Sequence, residues 1–398
     1  MASNFADRQV VAALFPQLKA EWGLSDLRLG LLSSIVSLVI AVGALPIAVL
    51  IDRGGRPRKI AAMGGFWSIA TLGCALAGSY PMFLAGRALI GLGEAGFAPA
   101  GGALLADLFP ARWRATVLGA FQSAASVGAI LGIALGGAIA ALWGWRAALA
   151  VLALPGLVLA VLALSISTPG ERSRAAAPLP SLRTLAALLR PRSARAAYVG
   201  GSVQLLLIST LHAWLPSYFG RAYGWPVGRA AAAAAGMLLI GAIGIVLWGH
   251  LADRLTRHHA SARLSVPAAC ALAGFLLLSA AFGALHPGAA QLVLIGLGCL
   301  AMTATIGPLA AVVTAVTPVA QRASALGMLA SIQNLFGLAA GPLIAGALSD
   351  AFGLDAALAL LPASSLIVVA ALIAGARFYP AETSTDEPRG RPTAMAAS

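Results

Sequence analysis

Apolar runs of the length a helix needs to cross a hydrocarbon core, about 20 residues, recur from one end of this chain to the other. Hydrophobic residues make up 60% of the 398 positions and charged residues only 10%, against roughly 25% charged in a soluble domain. In lipid every backbone N–H and C=O must find a partner within the protein, which leaves helices or closed barrels. Barrel strands are short and alternate in polarity; the runs here are long and do not alternate. The sequence therefore specifies an all-α membrane protein. Its 45 glycines suit helices that approach closely where lipid supplies no hydrophobic drive.

Twelve spans are expected, near 1–20, 29–51, 59–79, 82–106, 114–142, 146–167, 197–220, 228–251, 264–285, 289–316, 323–349 and 356–377. Residues 169–195, rich in Pro, Ser and Arg, read as a cytoplasmic linker between an N-terminal six-helix bundle (1–168) and a C-terminal one (196–378). Residues 379–398 read as a polar, disordered cytoplasmic tail. With the N-terminus inside, nineteen Lys and Arg fall on inner loops and tail against five on outer loops. The excess of cations on the cytoplasmic side places both termini there and accounts for the net charge of +13 without nucleic acid as a partner. The preponderance of Arg over Lys points to a bacterial inner membrane.

Asp52-Arg53-Gly54-Gly55-Arg56 follows one apolar run and Gly249-His250-Leu251-Ala252-Asp253-Arg254 follows another, with the two aspartates 201 positions apart. A half-length repeat of this kind marks a duplicated bundle. Both segments resemble the loop motif of the major facilitator superfamily, Gly-x-Leu-Ala-Asp-Arg-x-Gly-Arg, although Ala48 stands where the first copy should carry Gly. The resemblance implies a twelve-helix bundle of two pseudo-symmetric halves. It also implies a cytoplasmic gate formed by Asp52, Arg53, Arg56, Asp107, Asp253 and Arg254, with Asp107 as a partner for Arg56.

The first span is short. Only six residues precede Asp7, roughly 9 Å of helix, so the first helix reads as N-terminally truncated, with a native start some 15–30 residues upstream, on the order of one further helical segment. Asp7, Arg8, Arg87 and Glu94 fall inside spans of the first half. Each charge at a bilayer centre costs roughly 2.5–3.5 kcal/mol, so the four are expected to face the interior and neutralise one another. Arg87 and Glu94, seven apart, share a helix face. A carboxylate in an apolar site beside Arg can exchange a proton when its partner moves, and Asp7 and Glu94 are the candidates for proton coupling. A purely structural ion-pair network is the alternative. The second half has no acid or Arg within a span; His212, Trp214 and Asn334 are its candidate substrate contacts, joining Arg8 and Arg87. Charge on one wall and apolar or aromatic groups on the other suit an amphipathic substrate.

Other motifs carry less chemistry. Gly91-Leu92-Gly93-Glu94-Ala95-Gly96 has the spacing of a dinucleotide fingerprint, but that fingerprint needs a preceding strand and a helix start; helix packing accounts for it better. Gly128, Gly132, Gly136 and Gly137 resemble the superfamily's antiporter motif, with Ile133 where proline belongs, and read as a packing stripe. Cys74, Cys270 and Cys299 read as small buried hydrophobes. No metal or nucleophile–base constellation is present, so no enzyme activity and no cofactor are expected.

Within the superfamily, Asn4-Phe5-Ala6-Asp7-Arg8-Gln9-Val10, Gly23-Leu24-Ser25-Asp26, the run from Gly86-Arg87 to Gly93-Glu94-Ala95, and Ala106-Asp107-Leu108-Phe109-Pro110 resemble Spinster-like transporters. That resemblance implies proton-coupled secondary transport of a small amphipathic or organic-anion substrate by a monomer in the bilayer. The anion:cation symporter branch, also with Asp-Arg in its first helix, implies uptake of carboxylates or sugar acids instead. A proton-independent uniporter or lipid flippase is the third reading.

Overall fold

A computed structural model describes residues 1–51, 56–165 and 182–384. The described residues fold as α-helices joined by short turns. Helix α1 (Ala2–Trp22) ends at Gly23, which takes the left-handed conformation at φ 59° that a side chain would resist. It is followed by α2 (Asp26–Ile51) and α3 (Arg56–Ala75). The expected fourth span is two helices, α4 (Tyr80–Glu94) and α5 (Phe97–Leu108), interrupted at Ala95-Gly96 directly after Glu94. Helix α6 (Ala111–Leu164) holds the fifth and sixth spans, which turn over at Gly144 (φ 80°, ψ 168°) with no intervening loop.

A short helix α7 (Leu182–Leu188) precedes α8 (Arg192–Tyr223), α9 (Val227–Thr256) and α10 (Ala262–Gly283). The last three spans are each irregular midway. The tenth is α11 (Ala289–Met302) and α12 (Ile306–Ala315), joined by a 3-10 turn. The eleventh is α13 (Arg322–Gln333), a π-helical segment Asn334–Ala339, and α14 (Ala340–Phe352). The twelfth is α15 (Leu354–Leu360) and α16 (Ser365–Ser384), broken where Pro362 opens a 3-10 turn. Pro342 lacks the N–H that would bond the carbonyl four residues back, which accounts for the π segment just before it.

Among the described residues, eight helical stretches are long and apolar enough to cross a membrane by length and composition. One of them, Thr116–Leu164, contains two spans. Helices α1, α3, α4 and α5 are not among the eight: α1 carries Asp7, Arg8, Lys19 and Glu21, α3 opens on Arg56, Arg58 and Lys59, and the other two are short.

Helix α6 packs on α1 and α3, and α4 on α2 and α3. In the second half α8 packs on α16, and α10 on α11 and α16. The halves meet where α2 lies along α14, α6 along α9 and α1 along α8. The glycine stripe of α6 makes two of these contacts possible. A methyl group at Gly132 would stand 2.5 Å from the Ala6 carbonyl oxygen, and one at Gly136 2.5 Å from the Val10 side chain. Gly128 meets Ala2 in the same way, so a four-residue ladder on α6 receives a four-residue ladder on α1, while Gly137 faces Ala231 of α9. Gly91 and Gly93 lie against α2 and against Phe66 and Trp67 of α3 respectively. The three cysteines are buried and free.

The tail begins later than the sequence suggested. Residues 379–384 continue α16: Tyr379 is buried, and the Glu382 carboxylate accepts from the backbone N–H groups of Arg192 (2.6 Å) and Ser193 (3.1 Å) and from the Ser193 hydroxyl. An acid at the open N-terminus of α8 satisfies donors that have no partner within the helix. The linker likewise ends sooner than 195, since Pro191 caps α8.

Candidate functional site: a buried charge cluster between the halves

Asp7 and Arg8 of α1 and Arg87 and Glu94 of α4 come together in the first half. Asp7, Arg87 and Glu94 are buried, and the Arg8 side chain keeps 14% exposure. The pairing is uneven. Arg8 Nε donates to Glu94 Oε2 at 2.5 Å. Arg87 makes no such bond to a carboxylate among the described residues; its guanidinium is spent on backbone carbonyls. It donates to Asp7 O at 2.9 Å, Arg8 O at 3.2 Å and Leu32 O at 3.1 Å. A carbonyl oxygen has a second lone pair beyond its helical bond, so one planar fork fastens α4 to both α1 and α2. The mutual neutralisation expected for all four residues therefore reduces to one direct ion pair. The Asp7 carboxyl oxygens have no hydrogen-bond partner among the described residues, and neither does Glu94 Oε1.

Arg8 also lines a cavity of about 40 Å³ between the halves, room for one or two waters. Phe5, Gln9, Ser33 and Ser37 complete the wall of the first half; Ser209, Ala213, Leu338 and Pro342 form that of the second. Leu338 belongs to the π-helical segment, and π-bulges often lie at functional sites. The candidate substrate contacts of the second half separate. Trp214 is fully buried, its indole N–H donates to Pro342 O at 3.1 Å, and its ring packs on Phe15 at 5.2 Å. This places Trp214 inside the helix contact and away from the cavity wall. Asn334 donates to Ala330 O at 2.9 Å, one turn back, at the start of the π segment. His212 is half-buried one residue before the cavity-lining Ala213.

Of the expected cytoplasmic gate, Asp52 and Arg53 lie outside the described residues. So do the side chains of Arg56, at the start of α3, and Asp107, in the last turn of α5. Asp253 pairs with Arg263 at 3.2 Å, within its own half and largely exposed, and Arg254 is exposed.

The opposite end of the bundle holds a network that sequence reasoning did not foresee. Asp26, 2% exposed, accepts from Lys19 at 2.5 Å, from Arg221 of α8 at 2.6 and 2.7 Å, and from Ser349 of α14 at 2.5 Å. Asp350 in turn accepts from the backbone N–H groups of Asp26 (2.7 Å) and Leu27 (2.8 Å) at the start of α2. Apart from the Lys19 bond, these join segments 195 to 324 residues apart. Beside them, Glu21 accepts from Trp145 Nε1 at 2.6 Å and from Arg146 at 2.8 and 3.1 Å. The hydrogen bonds from Arg146 and then Trp145 hold the Glu21 carboxyl below its usual range. The sequence marked Asp26 through the Gly23-Leu24-Ser25-Asp26 motif and left Lys19 and Arg221 as outer-loop cations; their pairing needs three helices from both halves.

The profile of the Major Facilitator Superfamily matches residues 1–335. The chain belongs to that superfamily. Protein spinster of Drosophila melanogaster is 28% identical over 370 residues, covering 87% of this chain and 60% of its own length. The probable L-galactonate transporter of Escherichia coli (strain K12) is 27% identical over 303 residues, 72% of this chain and 66% of its own. This superfamily chain thus spans about three fifths to two thirds of those relatives. Among solved structures, a bacterial homolog of the human lysosomal transporter Spinster, in an inward-facing and occupied conformation, superposes with a TM-score of 0.81 at 24% identity. It covers 96% of this chain and 94% of its own. The all-helical superfamily fold and the likeness to the Spinster-like branch follow, and the family and the named relatives are transporters rather than enzymes.

Proposed function

We propose that the chain is a proton-coupled secondary transporter that moves a small amphipathic or organic-anion substrate by rocking two six-helix halves about the cavity between them. The observation that carries this reading is the 2.5 Å Arg8–Glu94 pair, whose arginine also lines a cavity walled by both halves. Protonation of Glu94 weakens its hold on Arg8, and the freed guanidinium then meets an anionic headgroup, with the hydroxyls of Ser33, Ser37 and Ser209 as further donors. The Asp26 network closes the outer end in the present geometry, and Asp52, Arg53, Arg56, Asp107 and the Asp253–Arg254 segment close the cytoplasmic end when the halves rock. The setting is a bacterial inner membrane, with both termini cytoplasmic and the protein monomeric.

The test is transport in proteoliposomes under an imposed pH gradient, screened over lysolipids and organic anions. Glu94→Gln is expected to abolish gradient-driven accumulation while leaving exchange of substrate across the membrane. Undiminished accumulation in Glu94→Gln rejects Glu94 as the carrier of the coupled proton. A second reading, uptake of a carboxylate or sugar acid, is favoured by the hydroxyl-rich wall beside Arg8 and by the likeness to the probable galactonate transporter. Accumulation of sugar acids but not lysolipids in the same screen selects it.

A further inference from the structure

Among the described residues, the two carboxyl oxygens of Asp7, the Trp67 indole N–H, and the hydroxyls of Ser3 and Ser68 are all buried without hydrogen-bond partners. They belong to one locus. The Trp67 indole N–H is near enough to act on the Asp7 carboxyl group without meeting it in hydrogen-bond geometry. Measured from the position a Cβ would take on Gly156 of α6, Trp67 Nε1 lies 3.2 Å away, Ser3 Oγ 3.3 Å away, and Ser68 Oγ closer still. Gly156 lets these polar tips converge on bare backbone, where any side chain would push them apart.

An indole N–H can only donate, and a carboxylate can only accept. Here a donor without an acceptor sits beside an acceptor without a donor, both in a dry interior where an unmade hydrogen bond costs most. Trp67 also touches the other half of the charge cluster: its backbone and Cβ pack 3.0–3.1 Å from the Cβ position of Gly93, next to Glu94, and its ring stacks edge-on against Phe97 at 4.7 Å, just past the break between α4 and α5. The titratable and charged groups around Asp7 are Arg8 on its own helix, Arg87 and Glu94 on α4 and Cys74 on α3. Arg87 is already committed to carbonyls and Arg8 to Glu94. That leaves the indole N–H and the hydroxyls of Ser3 and Ser68 as donors free to serve Asp7, and of these the indole is the one that acts on its carboxyl group.

We propose that Trp67, seated on Gly156, is the positioning residue for Asp7: its N–H closes onto the carboxylate when the proton leaves and opens when the proton returns. The indole movement then transmits the protonation state of α1 to the break after Glu94. The proposal rests on the reading of Asp7 as a proton-exchanging group.

Infrared difference spectroscopy of the full chain in liposomes, stepped from alkaline to acid pH, tests it. The expected result is a carboxyl band, assigned by its loss in Asp7→Asn, that appears together with a shift of an indole N–H band assigned by its loss in Trp67→Phe. Trp67→Phe keeps the ring and is expected to lower the maximal gradient-driven rate about tenfold, the weight of one charge-assisted hydrogen bond, with half-saturating substrate concentration unchanged. Gly156→Ala, which leaves the indole intact but crowds its seat, is expected to uncouple the two bands. An indole band that stays still while the Asp7 band appears overturns the proposal, as does a full maximal rate in Trp67→Phe. A carboxyl band absent at every pH overturns it together with the proton-exchange reading, and is distinguished by Asp7→Asn retaining full gradient-driven transport.

Discussion

Arg87 is a fully buried arginine whose partners are peptide groups. Its planar fork reaches three carbonyls at once, a geometry that a point-like ammonium on a flexible stem does not reproduce. Arg87→Lys is therefore expected to cost about 3 kcal/mol, the loss of one to two charge-assisted bonds in a dry site, read as a lower melting temperature of the purified protein. An unchanged melt would mean that α1, α2 and α4 do not depend on this fork. Glu21 offers a pH-dependent counterpart at the surface. Its folded value lies below the ordinary carboxyl value because Arg146 and Trp145 donate to it. The stabilisation it gives is thus present above the unfolded value, about 4.3, and is lost as pH falls through the lower folded value. Glu21→Gln should lower the melting temperature at neutral pH, and the gap to the unmodified protein should close in acid. At this scale the sequence was informative about which residues matter and uninformative about who bonds to whom. Charge count alone made Arg87 a partner for carboxylates; its real acceptors are main-chain oxygens, which a sequence does not reveal. Trp214 looked like a cavity aromatic, because nothing local signals that its indole N–H would donate to the Pro342 carbonyl across the helix contact.

Helix contacts repeat the same lesson with a different balance. The stripe of Gly128, Gly132 and Gly136 was legible from its four-residue period, and its partners Ala2, Ala6 and Val10 keep that period on α1. Gly132→Val is expected to destabilise the fold by about 1–3 kcal/mol or more through overpacking against backbone. Gly236 and Gly327, with nothing within 4 Å of their Cβ positions, should tolerate Ala with little change; thermal melts of the three variants side by side check this. Element boundaries were legible to within a few residues where Pro or Gly punctuates the chain, as at Gly23 and Pro191. The interruptions inside the fourth, tenth and twelfth spans were not foreseen. Long apolar runs score the same whether their hydrogen bonds run to the fourth residue or skip to the third or fifth, so a break such as Ala95-Gly96 leaves little trace in hydropathy.

For the molecule as a whole, the two halves are fastened to one another at the Asp26 end by an aspartate that gathers Lys19, Arg221 and Ser349, while Asp350 caps α2 from the far half. Breaking a largely desolvated ionic contact by removing one partner is costly, so in the proposed cycle this network biases the rocking equilibrium toward closure there. Asp26→Asn in a Ser37→Cys background is expected to raise labelling of the cavity cysteine by an impermeant thiol reagent, added from the Asp26 side, by about tenfold or more. Labelling that stays at the background rate would show that other contacts hold this end shut. The half-length repeat and the succession of long apolar runs made the twelve-span bundle readable from sequence. The fastening could not be read because its members come from four helices that only the folded bundle makes neighbours.

Because Arg87 is bolted to peptide oxygens, its positive charge stays in place whatever happens to the acids nearby. With Asp7 and Glu94 both protonated, the two arginines therefore leave the pocket cationic, an unfavourable state deep in hydrocarbon. An anionic cargo restores neutrality, and so does release of the protons. A protonated carrier with nothing aboard would have to turn over while carrying unbalanced charge, and that electrical penalty is a ready-made reason for such a machine not to slip.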